Sequence, residues 1–177
     1  MIVTSALTLH TADASSTQAL AEAIAAAFLP GDVVALSGEL GAGKTCFVQG
    51  AARGLDIEVP VTSPTFVLVR QYRGRLPIVH ADVYRLNRMQ DVFDLGDEVF
   101  APDVVTFVEW GDAIASVLPS DRLDVEILHA EDLTAETQPV DDGSVPPAPR
   151  TVVLRTHGSW GERHQELATL CAPWREG

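Results

Sequence analysis

Two apolar runs stand out along the chain because they do not alternate. Residues 33–36 (VVAL) and 104–108 (VVTFV) are apolar almost without interruption. That pattern belongs to strands covered on both faces, as in a parallel sheet. Residues 66–72 (FVLVRQY) and 77–82 (PIVHAD) read as two further strands, joined as a hairpin through Arg73-Gly74-Arg75. Over 122–128 the pattern changes to strict alternation, with Leu123, Val125 and Ile127 inward and Asp124 and Glu126 outward. This is a half-exposed strand, and 151–156 resumes as its hairpin partner after a long insertion. A short strand is expected at 2–9. Helices are expected at 17–28 (capped by Asp13, Ser15 or Ser16), 46–53 (closed by Gly54), 87–95, 112–118 and 158–170.

Between the first buried run and the helix at 46–53 lies Gly38-Glu39-Leu40-Gly41-Ala42-Gly43-Lys44-Thr45. The segment fits G-x-x-x-x-G-K-[ST], and its strand–loop–helix setting is the one a phosphate-binding P-loop requires. Glycines let successive N–H groups turn toward one anion, and the helix N-terminus adds its positive end. Gly38 through Thr45, with Cys46 following, are therefore the candidate nucleotide-binding residues. Lys44 is suited to the β/γ-phosphates and the Thr45 hydroxyl to Mg²⁺. With this motif placed, the element pattern predicts an α/β fold: a P-loop NTPase-like three-layer sandwich, with a mixed, mostly parallel central sheet and helices on both faces.

Composition sharpens the nucleotide reading. Of the 12 basic residues, Lys44 is the only lysine; the other eleven are arginines. A compact ammonium fits between phosphates where a planar guanidinium does not. The same count disfavours a GTPase, whose N-K-x-D guanine signature needs a second lysine. The net charge of −13 argues against tight, non-specific nucleic-acid binding by the chain alone. Two cysteines without Cys/His metal spacing indicate neither a disulfide framework nor a zinc site. No Lys or Arg precedes Lys44, and the apolar run 19–29 is short and contains Glu22, so neither a signal peptide nor a membrane span is expected and the cytoplasm is. At 177 residues the chain is expected to be a single domain, 1–177, with an acidic, Pro-rich disordered insertion at 131–150.

Three further positions carry candidate chemistry. Asp82 ends an apolar strand, where a carboxylate can hold Mg²⁺ or cap the following segment. Glu109 ends the run 104–108, a Walker-B-like position; a salt bridge to an arginine is the alternative. Thr65, in Ser63-Pro64-Thr65-Phe66, sits where P-loop NTPases carry a switch loop, or else caps an ordinary turn. Arg70, Arg73, Arg75, Arg85 and Arg88 form a basic segment in an acidic chain, as solvated side chains or facing a phosphate or acidic partner.

Four blocks together, Gly-Glu-Leu-Gly-Ala-Gly-Lys-Thr at 38–45, Ser-Pro-Thr-Phe at 63–66, His-Ala-Asp-Val-Tyr-Arg at 80–85 and Glu-Trp at 109–110, resemble the TsaE (YjeE) family of bacterial tRNA threonylcarbamoyladenosine biosynthesis. The resemblance implies ATP in the P-loop, Mg²⁺ on Thr45 and Glu109 with Asp82 in or beside its shell, and Thr65 as a switch-type residue. Asp82, Glu109 and Thr65 are then the catalytic candidates. It also implies partners, the transferase TsaD with its companion TsaB, and an ATPase that is weak alone. Cys46 stands where the family commonly has Thr or Ser, and Gly111 where a Pro often follows Glu-Trp. A P-loop kinase of a nucleoside or metabolite, and a non-hydrolysing nucleotide switch, are the competing readings.

Overall fold

The computed structural model describes residues 5–84, 97–129 and 149–175. In chain order the elements are β1 (Ser5–Thr11), α1 (Ala14–Ile24), β2 (Val33–Ser37), α2 (Lys44–Gly54), β3 (Val69–Tyr72), β4 (Ile78–Asp82), β5 (Val105–Glu109), β6 (Arg122–His129), β7 (Arg150–His157) and α3 (His164–Leu170). The seven strands form one sheet in the order β1-β7-β6-β2-β5-β4-β3. The middle four, β6-β2-β5-β4, run parallel. The outer pairings β1/β7, β6/β7 and β3/β4 are antiparallel. The non-alternating runs therefore occupy the centre: β4 and β5 are buried along their whole length and β2 along all but Ser37.

The three α-helices pack on one face around Phe28, Phe47, Phe107 and Trp160. The other face is covered among the described residues by two 3₁₀ turns, Asp97–Phe100 and Gly111–Ile114, which bring Val99 and Ile114 onto the strands. The three-layer sandwich is as expected, with the second layer, among the described residues, thinner than the first. Arg163 ties the end of the chain to the start of β2, donating to both oxygens of Asp32 at 2.8 and 2.7 Å while stacking over Trp160.

Several boundaries differ from the pattern for identifiable reasons. The first strand runs on to Thr11, two residues past its expected end; residues 2–4 of the expected strand lie outside the described residues. α1 starts at Ala14 because the Asp13 carboxylate accepts the Ser16 N–H at 2.8 Å; its end tightens to 3₁₀ at Ala25–Ala27. Gly54 is the last residue of α2 and not its cap. A Cβ there would lie 2.6 Å from both Ala25 Cβ and Glu22 O, so its role is close packing on α1; Asp56 takes the left-handed turn (φ 59°). β3 begins only at Val69, because the N–H groups of Val67 and Leu68 both turn back to Pro64 O, at 2.9 and 2.7 Å. The segments expected as single helices at 112–118 and 158–170 hold only one 3₁₀ turn and a 3₁₀ turn followed by α3. The helix expected at 87–95, Arg85 and Arg88, and residues 131–148 of the insertion lie outside the described residues; Arg150 belongs to β7. No helix of the described residues is long and apolar enough to cross a membrane.

Candidate nucleotide site

The loop between β2 and α2 turns on three glycines with positive φ: Gly38 (135°), Gly41 (82°) and Gly43 (115°). At Gly38 the backbone passes so close to β6 that a Cβ would lie 2.3 Å from Ile127 O. On the far side Arg150 Nε donates to Ala42 O at 2.7 Å. The loop is thus held between β6 and the first residue of β7.

α2 opens with Lys44, which is 5% exposed. Its ammonium donates to Gly38 O at 2.7 Å and Glu39 O at 2.9 Å and lies 3.7 Å from the Trp110 ring centroid. Burial pushes the Lys44 pKa down, while the charges of Glu109, Asp82 and Asp112 pull it back up. Trp110 reaches this place by adopting the left-handed conformation (φ 62°) directly after β5, and the Tyr84 ring lies 4.7 Å away.

Parallel register sets the two acids side by side, Asp82 of β4 opposite Glu109 of β5. Thr45 Oγ1 donates to Glu109 Oε1 at 2.6 Å, and His80 Nε2 lies 2.8 Å from the same oxygen. No arginine pairs with Glu109 among the described residues. Asp82 accepts the Thr65 hydroxyl at 2.8 Å on Oδ2 and the Tyr84 N–H at 2.9 Å on Oδ1, so it both caps the local turn and holds the Ser63–Thr65 loop. The hydroxyls of Ser63 and Thr65 are 2.5 Å apart.

These groups line one open cleft of about 450 Å³: Leu40, Gly41, Gly43, Lys44, Thr45, Cys46, Ser63, Thr65, Asp82, Tyr84, Glu109 and Trp110. Of the residues expected to bind nucleotide, Gly38, Glu39 and Ala42 do not line it. The first two turn their carbonyls to Lys44, and the Ala42 methyl is buried in the core. Cys46 lines the cleft, but its thiol donates to Ala14 O at 3.3 Å and burial raises its pKa. Arg70, Arg73 and Arg75 do not line the cleft, and Arg75 instead donates to Ala25 O and Gly54 O. A kinase-type arginine lid has no support among the described residues.

The donor set suits magnesium. Thr45, Glu109 and Asp82 offer oxygen only, and no group of three or more His, Cys, Asp or Glu among the described residues could hold a metal by itself. Mg²⁺ keeps several waters and is bound by one or two carboxylates together with substrate phosphates. Four contributors have no site role assigned from sequence: His80, Tyr84 and Trp110, which lie within the blocks 80–85 and 109–110, and Arg150, which lies in none of the four blocks.

Comparison with known proteins agrees with this architecture. Residues 11–137 match the family model described as threonylcarbamoyl adenosine biosynthesis protein TsaE. The tRNA threonylcarbamoyladenosine biosynthesis protein TsaE of Bacillus subtilis (strain 168) is 45% identical over 125 residues, covering 70% of this chain and 78% of that protein. The protein of the same name from Treponema pallidum (strain Nichols) is 52% identical over 90 residues, 50% of this chain and 67% of its own length. The crystal structure of Bacillus subtilis YdiB superposes with a TM-score of 0.69 at 33% identity, over 96% of this chain and 97% of that one. With the family model spanning residues 11–137 and the Bacillus subtilis relative 45% identical over most of both chains, the chain belongs to the TsaE family.

Proposed function

We propose that this protein is a magnesium-dependent ATPase of tRNA threonylcarbamoyladenosine biosynthesis, acting with a transferase complex of the TsaD and TsaB type. The observation that carries the reading is the meeting of Lys44, Thr45 and Glu109 in one cleft, with the Thr45 hydroxyl 2.6 Å from the Glu109 carboxylate. The loop N–H groups and the start of α2 bind the phosphates, and Lys44 adds a point charge. Thr45, Glu109 and Asp82 would hold Mg²⁺, which supplies charge neutralisation at the β- and γ-phosphates when bound. Glu109 orients the attacking water and accepts its proton. Thr65, already bonded to Asp82, couples the 63–65 loop to the occupant of the cleft.

ATP turnover measured with and without the purified transferase complex, for wild type and Glu109→Ala, tests the reading. Wild type is expected to be stimulated at least about tenfold, and Glu109→Ala to lose about 10²-fold or more of that stimulated rate. An unstimulated wild type would overturn the partner-activated reading.

A partner-dependent site is supported by the cleft's rim. Leu40 (83% exposed) and Tyr84 (56%) line the cleft, and the exposed Phe66 (84%) and Val67 (53%) follow directly on Thr65, which also lines it. Phe66→Asp is expected to abolish stimulation by the complex while ATP affinity stays within about twofold, as read by calorimetry.

A further inference from the structure

Glu109 is held by one of its two oxygens. Oε1 takes both the Thr45 hydroxyl, at 2.6 Å, and His80 Nε2, at 2.8 Å. Oε2 has no hydrogen-bond partner among the described residues. A carboxylate oxygen accepts only, so the shared contact places the imidazole hydrogen on Nε2. His80 is fully buried in the middle of β4, in register between Arg70 of β3 and Phe107 of β5, and its Nδ1 has no partner. A buried polar atom left unsatisfied is costly. Packing alone does not account for an imidazole at this point of an apolar strand. Alternation along β4 places His80 on the same face as Asp82, two residues on, so one strand sends one side chain into the cleft and another to the carboxylate beside it.

Resting on the proposed ATPase reading, we infer that His80 is a positioning residue that selects which oxygen of Glu109 is offered to the cleft. By donating to Oε1 it fixes the carboxylate plane and leaves Oε2 for the cation's shell or the attacking water. Thr45 donates to the same oxygen, but its hydroxyl is also a candidate cation ligand and its orientation would follow the ion. His80 has no such second duty, since its ring is fully buried and does not line the cleft. A rigid ring on a central strand holds this orientation better than a flexible donor would.

The test is the affinity of a non-hydrolysable ATP analogue, measured calorimetrically in Mg²⁺ and in EDTA, together with each variant's thermal melting. Wild type is expected to bind more tightly in Mg²⁺. His80→Leu is expected to lose about tenfold of that gain, the effect of one hydrogen bond to a charged group, with its EDTA affinity little changed. His80→Gln, whose amide reaches the same oxygen, is expected to restore the gain to within about threefold. If His80→Leu melts below the assay temperature, His80→Asn, too short to reach Glu109, takes its place. A wild-type magnesium gain in the Leu or Asn variant overturns the inference. So does an equal loss in both media, or a Gln variant as impaired as Leu. Wild type with no gain from Mg²⁺ overturns the ATPase reading itself, whereas defects or normality confined to the variants decide His80 alone.

Discussion

Lys44→Ala is expected to lower ATP affinity by about a hundredfold or more while the protein stays folded. The ammonium lies at the head of α2 and makes two short hydrogen bonds to its own loop, at 2.7 and 2.9 Å. Both acceptors are backbone carbonyls of the P-loop, and a triphosphate would offer the same donors charged oxygens instead. Hydrogen bonds to charged groups contribute about 1.5–3 kcal/mol each, so losing two costs at least about two orders of magnitude in affinity. Lys44→Arg should fail nearly as badly, although it keeps the charge. The guanidinium is a broad planar fork, whereas the ammonium is a compact point donor that reaches Gly38 O and Glu39 O together. Calorimetric titration with Mg-ATP and circular dichroism of the same samples check both. Normal binding by Lys44→Ala would sink the nucleotide reading.

Gly38→Ala is expected to damage the fold itself. Two causes act together there, a φ of 135° and a Cβ position 2.3 Å from Ile127 O. The second dominates, because backbone on a central strand cannot step aside as a side chain can. Relief would mean separating the loop from β6, at a cost of about 4 kcal/mol or more. For a chain of this length that is a fall in melting temperature of roughly 10 °C. Gly41→Ala separates the causes, since Gly41 also has a positive φ (82°) but nothing within 4 Å of its Cβ position. It should cost only about 1–2 kcal/mol, the left-handed penalty for a residue with a Cβ. Equal melting temperatures for the two variants would show that contact with β6 is not what matters.

The sequence was most readable where one strand carries its own signal. The buried runs at β2 and β5 lack alternation, and the acid closing each of β4 and β5 is visible in one dimension. What periodicity cannot show is which strands are neighbours. Asp82 and Glu109 are 27 positions apart, and only the β4/β5 register sets them side by side. The same register puts His80 within reach of Glu109 and turns a lone polar residue into a contact. The left-handed backbone of Trp110, which carries its ring to Lys44, leaves no trace in composition. Arg150 could not be linked to the P-loop from sequence, since it reaches Ala42 across a separation of 108 residues. Helix ends were misjudged where a tertiary contact decides them, as Gly54 packs on α1 instead of capping α2.

β7 lies between β6 and β1 and is the last strand in the chain, while β1 is the first, with Ser5 opposite Thr156. During synthesis the first strand therefore has no sheet to join until the last one emerges. The parallel centre β4-β5-β2 is complete by Glu109, and at about 5–20 residues per second several seconds pass before β7 follows. Through that interval β1 waits without the strand that its backbone will pair with, and closing so long a loop slows the final step. A nascent chain can thus assemble the acid pair and the P-loop's own strand early, yet lack the Arg150 clasp on Ala42 until its C-terminal quarter is made. Ending translation before Arg150 removes two strands from the finished sheet, one by deletion and the other by leaving it without a neighbour.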